Sequence, residues 1–350
     1  MTEEKLPELS IYLLNPPLRQ LTTDIQGCYR KTMKILVTDP EGYVGSLVVA
    51  CFTQQGHEVI SVSQANGGAA LSLIELAVTD LQNFDAVIHT GEICGNPALH
   101  PQIACNIHYR DAMHLANLAK ATGVSRFIYL SSCSVYGAGE EEYVTEESPV
   151  RPQTPSATYK AAIESDLLTI ASAEFSPTIL RPAIAFGASP RIRFDVVLNN
   201  MAGLAWTANK INIPGKGLSW CPVVHVLDIC QIINCILQAP RPLVHQQIFN
   251  VGDTNHNYQL IEIAAMVAEV FQVENFSFGH HGFGDRGLFM TFDKIHQFFP
   301  DFQCGWNPRQ GAEQLLNFFT LTDSIQSHFT LTRSPHRQSD NYPFHTASIA

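Results

Sequence analysis

The stretch that most constrains this chain runs from Met33 to Ser63, MKILVTDPEGYVGSLVVACFTQQGHEVISVS. Ile35, Leu36 and Val37 form an apolar run suited to a strand buried on both faces, and Asp39 to Gly42 is rich in turn formers. Tyr43 to Gln55 carries apolar residues at helical spacing before Glu58 to Ser63 returns to a strand pattern. That order predicts a β-α-β unit. In such a unit glycines let the backbone approach a pyrophosphate at the helix's positive N-terminus. Gly42 and Gly45 stand at the second and third positions of a G-x-x-G-x-x-G turn, whose first position is Asp39. A side chain there needs an uncommon backbone angle, and its carboxylate would bring negative charge to the place a pyrophosphate must occupy. The second strand ends in Ser63, where an acid would hydrogen-bond a ribose.

The rest of the chain repeats the alternation. Phe84 to Thr90, Arg126 to Ser132 and Thr178 to Pro182 read as strands, with helical spacing over Pro101 to Ala121 and Ser156 to Ala173. Alternating strands and helices imply an α/β fold with a doubly wound parallel sheet. Beyond Gly187 helices mix with short strands such as Gln247 to Val251, which predicts a smaller C-terminal α/β lobe. The expected divisions are an extension at 1–32, a dinucleotide-binding domain at 33–186, a substrate lobe interleaved with it at 187–321, and a disordered tail at 322–350 rich in Ser, His, Thr and Pro. Pro7, Pro16 and Pro17 deny the extension a long helix, leaving either a contact arm or a poorly ordered terminus.

Composition removes several function classes. With 350 residues and 45% hydrophobic content the chain can bury a large core, and it reads as globular. A formal net charge of −11, from 21 basic and 32 acidic residues, argues against nucleic acid or anionic membrane as main partner. No apolar run approaches about 18 residues, so no transmembrane segment is expected. The start MTEEKLPELS lacks the pattern of a signal peptide. Nine cysteines without CxxC spacing fit reduced thiols and a soluble, cytoplasmic protein. Cys230 and Cys235 fall on a predicted helix as packing residues, and no metal site is expected.

Several motifs in order carry a resemblance: MKILVT-turn-GYVGS (33–46), FDAVIH (84–89), GVSRFIYLSSCSVYG (123–137), TEESPVRPQTP (145–155), ILRPAIAFGASPRIRFD (179–195), VVHVLDI (223–229) and FNVGD (249–253). From Met33 to about Phe319 the chain resembles the extended short-chain dehydrogenase/reductases, in particular the NAD-dependent nucleotide-sugar epimerase/dehydratase family. The resemblance implies a Rossmann-like domain and a Ser or Thr, Tyr and Lys acting together. The phenol would be acid/base toward a sugar hydroxyl or carbonyl, the Lys would lower its pKa and hold the nicotinamide ribose, and the hydroxyl would bind the substrate oxygen. Ser132 and Lys160 match two of these positions, but Ser156 stands where the Tyr belongs. A serine hydroxyl is too short and too weakly acidic to replace a phenol. Tyr159, one residue from Lys160, points about 100° away on a helix and is a doubtful substitute that suits a surface or interface role better. Cys133 reads as inert.

The resemblance places Gly42, Tyr43, Val44, Gly45, Ser131, Lys160 and Pro182 at cofactor contacts. Asp39, Ser63 and Ala77, the last standing for an adenine-binding Asp, argue against binding. Glu92 brings a negative charge to what the resemblance makes a small, apolar stretch under the cofactor, and His108-Tyr109-Arg110-Asp111-Ala112 puts bulk where the resemblance has a helix packing closely on the strand. Arg181, Arg193, His225 and Arg286 match positions around a nucleotide diphosphate, with a core or strand-ending role as the alternative for His225 and Arg181. Three functions stay open. The first is a catalytically inactive pseudoenzyme serving as a structural or regulatory subunit of a complex, with no cofactor. The second is an active NAD(H)-dependent epimerase or reductase on a nucleotide sugar. The third is a non-redox lyase or ligand-binding protein. Helices near 101–121 and 156–173, which this family pairs in its dimers, are the expected surface for a protein partner or homodimer.

Overall fold

A computed structural model describes residues 32–63, 73–91, 101–137, 143–279 and 287–328. The expected β-α-β unit is there: β1 (Lys34–Thr38), α1 (Tyr43–Gln54) and β2 (Glu58–Val62). It is followed by β3 (Ala86–His89), α2 (Pro101–Ala121), β4 (Arg126–Leu130), α3 (Pro155–Thr169), β5 (Ser176–Pro182) and β6 (Ile184–Phe186). Thr154 starts α3 by accepting the Ala157 N–H on Oγ1 at 3.1 Å, with Pro155 at the first helical position. The helix ends at Thr169 rather than Ala173, because the chain must turn back into β5, which begins at Ser176.

The remaining elements are α4 (Val197–Ala208), β7 (Ile211–Ile213), β8 (Trp220–His225), α5 (Val226–Gln238), the single turn α6 (Arg241–Val244), β9 (Gln247–Val251), β10 (Asn257–Gln259), α7 (Leu260–Phe271), β11 (Phe276–Phe278), α8 (Asp293–Phe298) and α9 (Pro308–His328). The large sheet has the order β2-β1-β3-β4-β5-β9, with every pairing parallel. Side chains alternate between its faces: Ile128 and Leu130 of β4 join a core with α1 and α5, while Phe127 and Tyr129 join one with α2 and α3. Burial on both faces accounts for the continuous apolar runs visible in the sequence.

The smaller lobe consists of the sheets β10-β8-β6 and β11-β7, with α4, α7 and α9 around their own apolar core. Interleaving is extensive, since α5, β9 and the buried Phe292, Ile295, Phe299 and Phe302 belong to the core of the large sheet. The last helix, α9, runs unbroken to His328, past the boundary expected at 322. The extension at 1–31 and the segment 329–350 lie outside the described residues, as do Glu92 and Arg286.

The sheet order fixes where a ligand crevice would open. After β1 the chain steps to β2 on one side, then crosses to β3 on the other, so the switch point lies at the C-terminal ends of β1 and β3.

Candidate functional site

At that switch point Asp39 holds a φ of 52°, the left-handed angle that a side chain in the first turn position requires. Gly45 is needed for packing: a Cβ there would lie 2.0 Å from the Asp39 carbonyl oxygen. Gly42 is the N-cap residue of α1, with an ordinary φ of −80°. The Asp39 carboxylate does not project from the turn. It folds back into the gap between the strands, 4% exposed, and its Oδ2 accepts from Thr38 Oγ1 at 3.1 Å. Thr90 Oγ1 lies 3.3 Å from the same oxygen and 3.1 Å from the Thr38 carbonyl, sharing its proton between them.

The protons in this network can be assigned. Thr38 Oγ1 gives its one proton to Asp39 and accepts from the Thr90 N–H at 3.2 Å, so the contact of 2.9 Å with His89 Nδ1 must be donated by the imidazole. His89 is then neutral with a bare Nε2, which has no hydrogen-bond partner among the described residues. Its pKa agrees, lowered to about 3 by burial first and the Lys160 cation second. His89 lies between His108 and Tyr129, each with its ring centroid 5.5 Å away.

Lys160 reaches the adjoining strand ends from α3. Its Nζ donates to Gly91 O at 3.0 Å and Leu130 O at 3.2 Å and sits 5.8 Å from the Tyr129 ring centroid. One helical turn before it stands the half-buried Ser156. Tyr159 turns the other way, toward α2, where its hydroxyl donates to Asn106 Oδ1 and accepts from Gln102 Nε2 at 2.7 Å. Its ring approaches Tyr109, whose hydroxyl donates to Asp166 of α3. Tyr159 thus ties α3 to α2. Ser132 spends its Oγ on the Ser134 N–H at 3.1 Å, capping the turn Cys133–Tyr136. Ser131 is buried beside it, and Pro182 closes β5 in the core. Burial pushes the Cys133 thiol up to about 12 against a smaller opposing bond from Ser132, which removes it as a nucleophile. Ser63 ends β2 half-buried, and the Ala77 N–H is capped by Asp80 Oδ2 at 2.7 Å.

The arginine and histidine expected around a diphosphate are engaged elsewhere. Arg181 is 3% exposed and forms a fork with Glu164, also 3% exposed, with Nη2 to Oε2 at 2.6 Å. Its Nη1 donates to Tyr136 Oη at 2.8 Å, and Tyr136 donates to Asn250 Oδ1 at 2.6 Å. Although burial pulls the guanidinium down, Glu164 and then Tyr136 hold its pKa above the ordinary value. Arg181 is thus a buried cation whose guanidinium is engaged by Glu164 and Tyr136. His225 caps α5, accepting the Leu227 N–H on Nδ1 at 3.2 Å, and its Nε2 meets Gln314 Oε1 at 2.9 Å. It stacks on Trp306 at 4.3 Å and is fully buried. Arg193 pairs with Asp195 at 2.9 Å on the surface.

Sequence reasoning missed Glu164, Tyr136 and Asn250. A signal for Glu164 existed, since it follows Lys160 by one helical turn and so shares its inward face. Asp228, in the first turn of α5, was also missed. Its Oδ1 accepts the Gly305 N–H at 2.9 Å, and burial raises its pKa to about 7 despite that bond. Among the described residues no group of three His, Cys, Asp or Glu could hold a metal ion, and no helix is long and apolar enough to cross a membrane.

Residues 35–252 match the model of the NAD dependent epimerase/dehydratase family, more than half of the chain. The chain belongs to that family. Among its relatives are the mouse dTDP-D-glucose 4,6-dehydratase, 22% identical over 80% of this chain and 86% of that one, and the UDP-glucose 4-epimerase of Bacillus subtilis, 27% identical over 81% and 94%. The fold agrees with solved structures. An NAD-dependent NDP-hexosamine 5,6-dehydratase, TunA, superimposes with a TM-score of 0.72 at 17% identity, covering 83% of this chain and 98% of that one. MoeE5 in complex with UDP-glucose and NAD gives 0.70 at 22%, covering 83% and 99%.

The family's cofactor can be tested against these residues. The glycine turn before α1 and the Lys160 ammonium suit a dinucleotide. The switch point does not, because a buried carboxylate bridges β1 and β3 there and β2 ends in Ser63. The residues present do not fit NAD as the family would hold it.

Proposed function

We propose that this chain is a catalytically silent member of the epimerase/dehydratase family, working as a structural or regulatory subunit of a complex in the cytoplasm. One observation carries this: no phenol stands one helical turn before Lys160, where the acid/base would be. Ser156 holds the position one turn before it, and an aliphatic hydroxyl has no pKa that a neighbouring cation can bring to neutrality. Three phenols lie near among the described residues; two are hydrogen-bonded, and the third, Tyr129, is buried with no hydrogen-bond partner for its hydroxyl among the described residues. Tyr159 is bonded to α2, and Tyr136 is held between Arg181 and Asn250. Tyr129 is fully buried under Lys160, its pKa raised by burial and then by Glu164.

The α2 and α3 face is the proposed contact surface. Its half-exposed Tyr109 and Tyr159 are held in place by bonds within the chain, and Ile103 is 49% exposed beside them. Kinship supplies a nucleotide sugar as the ligand class for the lobe. The competing reading, an active NAD-dependent epimerase or reductase, draws support from Lys160 and from the relatives' activities. The full chain incubated with NAD+ and UDP-glucose or dTDP-glucose is expected to give no product. Co-purification from its source should recover a second protein in fixed ratio. Turnover of either sugar, or elution of the native chain alone, would defeat the proposal.

A further inference from the structure

One sheet of the smaller lobe ends in a bare edge. β11 runs parallel to β7 and has no strand on its other side among the described residues. The Ile211 N–H donates to Asn275 O at 2.9 Å and the Gly279 N–H to Ile213 O at 2.8 Å, which fixes the alternation of the ladder. Asn275, Ser277 and Gly279 therefore bond to β7, and the peptide groups of Phe276 and Phe278 face outward along the edge. Register pairs these two phenylalanines with Ile211 and Ile213, whose side chains enter the lobe core, so both rings lie on that same face. At its rim they stay in solvent, Phe276 45% and Phe278 56% exposed. Ser277 points to the opposite face, where its hydroxyl meets Asn212 Oδ1. The apolar surface continues past β7. A Cβ on Gly217 would meet Ile213 Cγ2 at 2.9 Å and Ile261 Cβ at 3.0 Å, and both Ile261 and the neighbouring Leu218 are exposed. Edge strands are normally guarded by lysine, proline or a bulge, whereas β11 reads Phe-Ser-Phe.

We propose that β11 is the contact through which two copies of this chain pair, edge to edge and antiparallel about a two-fold axis at Ser277. The strip is its own complement. With Ser277 opposite its counterpart, each Phe276 faces a Phe278, and each such pair exchanges both of its outward N–H and C=O groups. The rings then meet as aromatic cross-strand pairs on one face, and no charged side chain is opposed within the paired stretch. The two β7-β11 ribbons become one continuous sheet. Size sets the strength of the contact. A phenylalanine buries about 150–250 Å² and these are already half covered, so the paired rings supply roughly 400 Å². That is far below the about 1,200 Å² of a standard interface, which makes the dimer weak and dependent on concentration. The pairing depends neither on the silence of the catalytic position nor on the α2 and α3 face, so it fails or stands separately from both.

The experiment uses the full chain alone. Sedimentation velocity from about 1 µM to 1 mM should show monomer passing into dimer, with a Kd on the order of 10–100 µM. Hydrogen exchange at both ends of that range should find the amides of Phe276 and Phe278 slowed in the concentrated sample, which reads the outward N–H groups without any substitution. Phe276→Lys combined with Phe278→Lys sets lysine against lysine across the axis. It should weaken the dimer roughly tenfold or more while far-ultraviolet dichroism stays unchanged. Ile103→Asp, on the exposed side of α2, should leave the dimer as it is. A monomer throughout the range would overturn the proposal, as would a dimer whose exchange at Phe276 and Phe278 does not change with concentration. A dimer that Ile103→Asp breaks and the lysine pair leaves intact would overturn it too, placing the contact on α2 and α3.

Discussion

Asp228 and His225 sit one helical turn apart on α5, and burial drives both toward their neutral forms. Asp228, held near 7, keeps its proton in the folded chain at pH values where the unfolded chain has lost it. Stability is therefore eroded as pH rises from about 4, and the full deficit, at most on the order of 4 kcal/mol, is present above 7. Asp228→Asn can keep the Gly305 bond. It should raise the thermal midpoint at pH 8 relative to wild type by more than it does at pH 4, and an equal effect at both would mean that the carboxyl is not titrating in the fold. His225, lowered to about 3 by burial, works in the opposite direction. The unfolded chain takes up a proton below about 6.5 that the folded one refuses, so stability falls by about 1.4 kcal/mol per pH unit on the acid side. Arg181 illustrates what sequence alone could not decide. A guanidinium at a strand's C-terminal end looks the same whether it faces a phosphate or a buried carboxylate, and only the fold brings Glu164 to it. Arg181→Met should cost about 3–5 kcal/mol in denaturant unfolding, because it strands the Glu164 charge. Adding Glu164→Gln should restore much of that loss, whereas a ligand-binding arginine would show little loss without ligand.

At the scale of elements, the strands of the large sheet were legible because burial on both faces demands unbroken apolar runs. The glycine turn was legible too, including the strained angle at Asp39. The end of α9 was not. Among the residues whose burial is described, the last buried one is Phe319, 6% exposed, and beyond it the mostly polar run Thr320 to His328 holds only Leu321 and Ile325 as large apolar residues, too few to read as a helix end. The helix continues all the same, and Thr320 and Thr322 add side-chain bonds to the Leu316 and Phe318 carbonyls at 2.8 and 2.9 Å. The α2–α3 pair was recognisable as two helices, but the inward and outward faces of Tyr159 and Lys160 only became certain from their partners. The turn itself admits a test. In Gly45→Ala the added Cβ would meet the Asp39 carbonyl at 2.0 Å, so either α1 or the turn must shift. The expected result is a loss of more than about 3 kcal/mol or failure to fold. A variant with an unchanged midpoint would mean that the helix does not pack this closely on the turn.

The described residues form a large sheet with a core on each face and a lobe with its own core, joined by shared apolar packing around Ile184 and Trp306 and by a few polar bolts. From α1, Tyr43 Oη donates to Gly187 O at 2.7 Å and accepts from Asn199 Nδ2 at 3.0 Å, so a phenol on the large sheet is fixed by the lobe. Ser189 adds a bond to the Tyr43 carbonyl at 2.8 Å and meets Ser46 Oγ at 3.0 Å. On the far side of the same loop Gln314 of α9 accepts from the Ala188 N–H at 2.8 Å while its Oε1 also meets His225. A subunit that presents a fixed surface gains from such bolts, since they make the two cores unfold together. Wild type should then show one denaturant transition, with far-ultraviolet dichroism coinciding with the fluorescence of Trp206 and Trp220, both in the lobe. Tyr43→Phe leaves the Gly187 carbonyl and the Asn199 amide without their partner, which should cost about 1–3 kcal/mol. Combined with Ser189→Ala, it should separate the two signals, the lobe melting first. Coincident transitions in the double variant would place the coupling in the shared apolar packing instead, around Trp306 and the residues that both cores touch.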